Sequence, residues 1–389
     1  MRAGAYAGLK IGLGAIACVV GLSWSTAGRA AVREDVEWRL STPLPEARAG
    51  YAAGVVGGRL ILAGGTYWLG SPGAWTEKVF CATTHAFDPG TEIWTCLPDA
   101  PVAFGYAAGV ALEDRLYVLG GVQAGRSSRQ VFVLENQSGA FHWREGPALP
   151  EARVFAEAAV AQGKIFVVGG SREFETLDDT GLCCGTNTAT TTVWSWDPAN
   201  PSSPWKERTP FPGDRRGGHR LVSDGRYLYQ FGGRFLTGKG QPLHYFNDVW
   251  RYDVQSDQWT KLAEMPVGVQ LARAVFADGK ILLIGRDRRA MKFDPVTDGF
   301  TNLTGLPEDA LVDSFFGCPR LLWAREERLN LTARADVPTG LSLDDGRQLQ
   351  YSHVELKGKE IHRNCRAVLG CDETKSLVDQ RTARLVRAA

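Results

Sequence analysis

One unit recurs down this chain, and a chain made of repeated small units can bury its apolar surface only by stacking them. The unit is a strand of small residues, a short turn, an apolar strand ending in Gly-Gly, a variable loop, a strand ending near Asp-Pro, and a strand carrying Trp. The first copy holds GYAAGV at 50–55, RLILAGG ending at Gly64 and Gly65, AFDPG at 86–90, and Trp94. The second repeats GYAAGV at 105–110, expected in the same register, then RLYVLGG to Gly120 and Gly121, and Trp143. A third runs through GKIFVVGG to Gly169 and Gly170, WSWDP at 194–198 and Trp205; a fourth has RYLYQFGG to Gly232 and Gly233, DVWRYD at 248–253 and Trp259. The fifth keeps GKILLIG to Gly285 and KFDP at 292–295, with Arg286 for the second glycine and Phe300 for the Trp. ERLNLTAR at 327–334 aligns as a sixth, with Ala333 and Arg334 replacing the glycine pair.

A four-stranded antiparallel unit of this kind cannot cover both of its faces, so the copies must pack as blades around a common axis. The expected fold is all-β, a six-bladed β-propeller. Glycine pairs let the second strand turn where a side chain would collide, and the Trp residues fill the wedge between blades. One piece is out of order: VEWRLSTPLPEAR at 36–48 carries a fourth-strand Trp, Trp38, with no first three strands before it. It is expected to complete the sixth blade, the one containing Leu329, beside a third strand around 348–355. The ring then closes with no free edge. Domain bounds follow: an export signal at 1–30, a propeller at 31–356, and a basic C-terminal tail at 357–389 outside the repeats.

The signal is read from Arg2 and Lys10 ahead of an apolar run at 11–22, with small residues at Ala27, Ala30 and Ala31. The run is shorter than the roughly 20 residues a spanning helix needs, so no membrane span is expected after cleavage. A periplasmic or secreted protein is the expectation. Lys+Arg 44 against Asp+Glu 43 leaves a formal charge of +1, which gives no global field for nucleic acid. Removing Cys18 with the signal leaves Cys81, Cys96, Cys183, Cys184, Cys318, Cys365 and Cys371, an odd number in a disulfide-permitting compartment. Cys81 and Cys96 flank the turn at 88–91 and are expected to bridge. No cysteine has zinc-ligand spacing, and no metal or cofactor is expected.

The Gly-Gly, Asp-Pro and Trp pattern resembles the kelch repeat over nearly the whole mature chain. Within that family, the exported layout, linkers such as 97–101 and 149–150, and GGTYW followed by WTEKVF at 75–80 resemble bacterial kelch proteins of the N-acetylneuraminate epimerase (sialic acid mutarotase) type. The resemblance implies a cofactor-independent sugar mutarotase or epimerase acting on an acidic sugar. The alternative is a non-catalytic interaction module that binds a protein or glycan on its top face. No GxSxG elbow, P-loop or GxGxxG motif supports hydrolase, nucleotide or dehydrogenase chemistry.

The loops joining strands two and three should open on the same face as the blade-to-blade connections. They carry Trp68, Trp75, His244 and Tyr245, whose rings suit the C–H faces of sugars. A second signal lies on the innermost strand. Counting twelve residues back from the first glycine gives Ala52 in blade one, then Glu157, Arg220 and Arg273 in blades three, four and five. With His219, Arg153 and Arg216 nearby, this column reads as an acidic-sugar site, Glu157 its base and the arginines its carboxylate clamps. The other reading of the same residues is a structural ion pair between blades.

Overall fold

A computed structural model of the chain describes residues 33–34, 37–46, 48–71, 74–174, 188–235, 244–268, 271–285, 287–303, 305, 320–325, 341–342, 348–349 and 353–354. Every described element is a β-strand. Five blades are present, each with its four main strands in sequence order from the axis outward. Blade I is Ala52–Val56, Arg59–Ala63, Thr84–Asp88 and Ile93–Leu97. Blade II is Ala108–Leu112, Arg115–Leu119, Val131–Gln137 and Ala140–Glu145; blade III is Glu157–Ala161, Lys164–Val168, Val193–Trp196 and Lys206–Arg208. Blade IV is Arg220–Ser223, Tyr227–Phe235, His244–Asp253 and Gln258–Lys261, and blade V is Leu271–Ala277, Lys280–Gly285, Ala290–Asp294 and Gly299–Leu303. The innermost strands of successive blades lie side by side from I to V.

The second strands read as unbroken apolar runs because neighbouring blades cover both of their faces. Arg59–Ala63, Arg115–Leu119 and Lys164–Val168 are each buried along their last four residues. The turns from first to second strand include Gly57-Gly58, Gln162-Gly163 and Asp278-Gly279, all with positive φ at both residues, as two-residue hairpins require. At the other end of the second strand both glycines of blades I to IV have positive φ. A Cβ on Gly121 would sit 2.7 Å from the Gly105 carbonyl oxygen, and one on Gly170 would sit 2.6 Å from the Ala156 nitrogen, so both conformation and room demand glycine.

Apolar clusters sit between blades. Tyr117 of blade II packs with Trp194 and Trp196 of blade III, Phe166 of III with Tyr252 of IV, and Phe231 of IV with Phe293 of V. In blades II to IV the outer-strand Trp also ties the blade to the one before it. Trp143 Nε1 donates to the Pro98 carbonyl at 2.9 Å, Trp205 to Pro147 at 3.0 Å, and Trp259 to Thr209 at 3.1 Å. Each acceptor lies just after the outer strand of the preceding blade.

Three sequence expectations change. The two GYAAGV strings are not in register: Ala52 pairs with Ala63 in blade I, but Ala108 pairs with Leu119 in blade II. Blade II has one residue more between the string and its glycines, so Gly50 corresponds to Tyr106, and the two share positive φ of 64° and 57°. Counting back from the glycine pair, by contrast, finds the true column. Second, Cys81 and Cys96 are not bridged to one another: Cys81 is a free buried thiol, whereas Cys96 is disulfide-bonded. The hairpin pairs Asp88 with Ile93, which places Cys96 opposite His85, while Cys81 precedes the strand and bridges Phe104.

Third, the N-terminal strand Glu37–Pro43 is paired, but to Arg320–Arg325, with His353–Val354 on that strand's far side. Two stretches compete here, the apolar Leu321-Leu322-Trp323-Ala324 and the interrupted Leu329-Asn330-Leu331, and the position of Ala333 and Arg334 where a glycine pair is expected favours the later one. Arg33–Glu34 adds a short parallel strand to the outer edge of blade V. The expected signal at 1–30, the strand at 327–334 with Leu329, Cys183, Cys184, Cys318, Cys365 and Cys371, and the tail at 357–389 lie outside the described residues.

Candidate functional site

The column of charge converges. Glu157, Arg220 and Arg273 each pair across the blade with the residue just before the first glycine, and all three line one cavity of about 130 Å³ on the propeller axis. Arg220 Nη1 donates to Glu157 Oε1 at 2.6 Å, joining blades III and IV. The Arg273 guanidinium lies 5.5 Å from the centre of the Tyr51 ring. Blades I and II, where the column holds alanine, contribute Tyr51, Ala53, Ala107, Ala108, Gly109 and Val110 to the wall, and blade IV adds the hydroxyl-bearing Ser223.

Burial pushes Glu157 above the usual carboxylate range, against the lowering pull of Arg220 and Arg273. Burial also lowers Arg220, which Glu157 opposes while Arg273 and Arg234 add to it. The Glu157 side chain retains 27 % of its exposure and Arg220 13 %, so water still reaches both and screens these effects.

His219, Arg153 and Arg216 do not reach this cavity. His219 is buried between blades, with a ring carbon where a Cβ on Gly169 would lie at 3.0 Å. Burial, with Arg216 and Arg220 nearby, pushes its pKa down to about 3, so it is neutral. Its ring faces Val168, yet neither nitrogen completes a well-formed hydrogen bond.

Arg153 and Arg216 belong to a set that includes Arg48, the member sequence reasoning missed. All three occupy one register position, four residues before the inner column, and all are 3 % exposed or less. Arg48 contacts Glu46 and donates to the carbonyls of Gly64 and Thr83 at 3.1 and 2.9 Å. Arg153 meets Glu151 at 3.1 Å and Thr192 at 2.6 Å, with its guanidinium 4.2 Å over Trp194. Arg216 is bidentate to Asp248, donates to the Gly232 carbonyl at 3.1 Å, and lies 3.7 Å over Phe246. These arginines clamp the entering chain onto the second and third strands of its own blade. The signal was visible, since LPEAR stands at both 44–48 and 149–153.

The loop aromatics stand apart from the axis. Tyr67 to Leu69 and Trp75 belong to a hairpin of Thr66–Ser71 and Ala74–Phe80, which places Trp68 and Trp75 on the 2–3 connection of blade I. His244 and Tyr245 lie on the extension of blade IV, opposite Phe235 and Arg234, and both are exposed. At the mouth, Tyr106 packs against Phe155 and Phe174, and Lys78 Nζ donates to its hydroxyl at 2.8 Å. Among the described residues no group of three or more His, Cys, Asp and Glu side chains is placed to hold a metal ion.

Comparison with known proteins bears on the architecture. Residues 50–285 match the family model described as the KLHDC2/KLHL20/DRC7 Kelch-repeats domain. Kelch-like protein terF of Aspergillus terreus is 28% identical over 262 residues, which cover 64% of this chain and 51% of that protein. Human Kelch-like protein 34 is 28% identical over 236 residues, covering 59% of this chain and 33% of that one. The chain thus spans about half or less of the length of these relatives. The solved structure of YjhT superposes with a TM-score of 0.52 at 16% identity, over 66% of this chain and 84% of that one, a likeness of fold. Because the family model matches more than half of the chain, and the blades it describes are those seen here, the chain belongs to the Kelch-repeat β-propeller family.

Proposed function

We propose that this propeller is an interaction module that binds a protein or glycan on the face carrying its 2–3 loops and blade-to-blade connections. The observation that carries this reading is where apolar surface remains exposed. Leu69, Tyr245 and Val267 are 37 to 39 % exposed, and all three lie on that face. Tyr245 and Val267 are neighbours, since the ideal Cβ position of Gly268 is 3.0 Å from the Tyr245 carbonyl oxygen. Exposed Arg215, on the connection into blade IV and 5.5 Å from the Phe235 ring, and exposed His244, on the extension beside it, give an aromatic and cationic patch of the kind that anchors partners. The opposite face exposes only the isolated Ile93 and Val296 among large hydrophobics of the described residues. The test is quantitative cross-linking in extracts of the source cells. A Tyr245→Asp/Val267→Asp double variant should lose captured proteins or glycans that wild type and Ile93→Asp/Val296→Asp retain. Equal capture by all three would end the reading.

A second reading keeps the channel as an acidic-sugar site with mutarotase activity. It is favoured by the convergence of Glu157, Arg220 and Arg273 on one cavity. Glu157 would take the proton of the anomeric hydroxyl as the ring C–O bond opens, an acid would protonate the ring oxygen, and reclosure would give the other anomer. Glu157→Gln should then slow anomer exchange by about a hundredfold, the usual worth of a general base. An unchanged exchange rate in NMR would exclude it. Both readings take the chain as exported, which N-terminal sequencing of the cell-fractionated protein would check by a start near residue 28 or 31.

The proposal includes a sixth, closing blade formed by Glu37–Pro43, Arg320–Arg325 and His353–Val354. Its support is Trp94 Nε1, which approaches the Thr42 carbonyl at 3.4 Å just as Trp143, Trp205 and Trp259 approach the ends of the blades before theirs.

A further inference from the structure

The mutarotase reading leaves one role in the axial cavity unfilled. Opening a sugar ring takes a base for the anomeric hydroxyl and an acid for the ring oxygen, and Glu157 supplies only the base. Among the described residues, five polar side chains line the cavity: Tyr51, Glu157, Arg220, Ser223 and Arg273. Guanidiniums do not give up a proton in proteins, so Arg220 and Arg273 are not acids. Ser223 Oγ accepts from the Gly225 nitrogen at 2.9 Å, which ties it to the turn at the end of the strand away from Arg220. His219 is buried between blades and does not reach the cavity. The remaining proton donor on the wall is the phenol of Tyr51.

We infer that Tyr51 is the acid of this site, giving its phenolic proton to the sugar ring oxygen while Glu157 takes the anomeric one. Tyr51 stands one residue before Ala52 of the inner column. The tyrosine of the sister string, Tyr106, sits instead at the corner, where Lys78 Nζ at 2.8 Å and Thr66 at 3.2 Å hold its hydroxyl. One residue of register thus gives the channel one phenol rather than two. The Tyr51 ring is 8 % exposed and belongs to the apolar cluster of Leu60, Leu62 and Phe87, which fixes its plane. The Arg273 guanidinium lies 5.5 Å from the ring centre, and a cation there favours the phenolate left when the proton is given. Neither point depends on the other bonds that Arg273 and Tyr51 make. In the step itself, the anomeric O–H pair becomes the second bond of the carbonyl, the ring C–O bond breaks toward oxygen, and that oxygen takes the phenol proton. Rotation of the open chain exposes the other carbonyl face, and reclosure returns both protons, leaving phenol and carboxylate as they began.

The role of Tyr51 rests on the mutarotase reading, and the experiment tells the two apart. Anomer exchange of N-acetylneuraminate is followed by exchange NMR with the full chain and with its Glu157→Gln, Tyr51→Phe and Tyr106→Phe variants. Tyr51→Phe keeps the ring and its packing. It should slow exchange at saturating sugar by about a hundredfold and leave sugar affinity within about threefold of wild type, because the proton is given only in the chemical step. Tyr106→Phe, the same change in the sister string, should leave exchange as in wild type. If the wild-type chain does not speed exchange above the uncatalysed rate, the mutarotase reading and the role of Tyr51 fall together. If wild type speeds it and Glu157→Gln slows it, but Tyr51→Phe keeps the wild-type rate, the reading stands and Tyr51 is not its acid. Equal slowing in Tyr51→Phe and Tyr106→Phe, or a loss of affinity in place of rate, would mean that Tyr51 acts through packing and would also overturn the assignment.

Discussion

His85 and His219 are both buried, and desolvation holds each near a pKa of about 3, with Arg48 beside the first and Arg216 beside the second adding to the effect. The unfolded chain returns them to about 6.5, so between these values it binds more protons than the folded one. Their contribution is complete above about pH 6.5 and is lost as pH falls toward 3, at up to about 1.4 kcal/mol per pH unit for each. Glu157, pushed the other way, binds its proton more readily in the folded chain and offsets part of that slope above its ordinary value of 4.5. Urea unfolding from pH 7 to 4 should show the decline, and His219→Phe should remove close to half of it. An unaltered slope in that variant would place the effect elsewhere. At Arg216, removal of the guanidinium strands the Asp248 carboxylate, which is only 15 % exposed. Arg216→Met should cost about 3–5 kcal/mol, with much of it recovered in Arg216→Met/Asp248→Leu, where no unpaired charge is left. The contrast between Glu157 and Arg216 explains what the sequence could say about the site. Register on the inner strand follows from the glycine pair, so the channel column was legible. Whether an arginine near that column faces the axis or turns into its own blade depends on acceptors such as Asp248 and Thr192, contributed from the third strand and the loop before it, which spacing along the chain does not reveal.

Within an element, one residue of register decides which side chain goes where, and the two GYAAGV strings show the consequence. Their identity suggested equal placement, but the longer stretch before Gly120 moves Tyr106 to the corner that Gly50 occupies in blade I, at positive φ. Tyr106 then packs against Phe155 and Phe174, whereas Tyr51 turns toward Arg273 and the cavity. The second-strand glycines were the better anchor because a Cβ on any of those of blades I to IV would come within 3.0 Å of a neighbouring group. The outer hairpin of blade I carries the same lesson for the cysteines. Its tight turn pairs Phe87 with Trp94 and His85 with Cys96, leaving Cys81 beyond the strand end. Burial raises the Cys81 thiol to about 11, so almost none of it is thiolate at neutral pH. Iodoacetamide should fail to label Cys81 in the native protein at pH 8 and label it fully in denaturant without reductant. Labelling of native Cys81, or its recovery in a disulfide-linked peptide, would contradict this environment.

At the scale of the whole molecule the question is what joins blade V back to blade I. Inner strands run side by side through five blades, and each outer Trp reaches the end of the blade before it. For blade I that reach ends at Thr42, on the strand Glu37–Pro43, which is hydrogen-bonded to Arg320–Arg325 nearly three hundred residues away. The repeats made the stack of blades legible, and the stray Trp38 made the pairing of an N-terminal strand with one near the C-terminus legible. The partner itself was not, because Leu329 and Leu331 compete with the apolar run at 321–324 and the glycine signal there has decayed. Glu37 and Arg325 are directly opposed in this pairing, and opposed antiparallel residues have Cα atoms about 4.5–5.5 Å apart, within the range a disulfide spans. Glu37→Cys/Arg325→Cys should therefore crosslink on mild oxidation, seen as a linked peptide in mass mapping. Closing so long a loop restricts the unfolded chain by about 5 kcal/mol in the chain-entropy model, with about 2–4 kcal/mol the typical yield. The oxidised variant should melt several degrees above its reduced form. Efficient crosslinking with no rise in melting temperature would mean that unfolding does not open the ring at this seam, and absence of the crosslink would mean that the strands are not paired there.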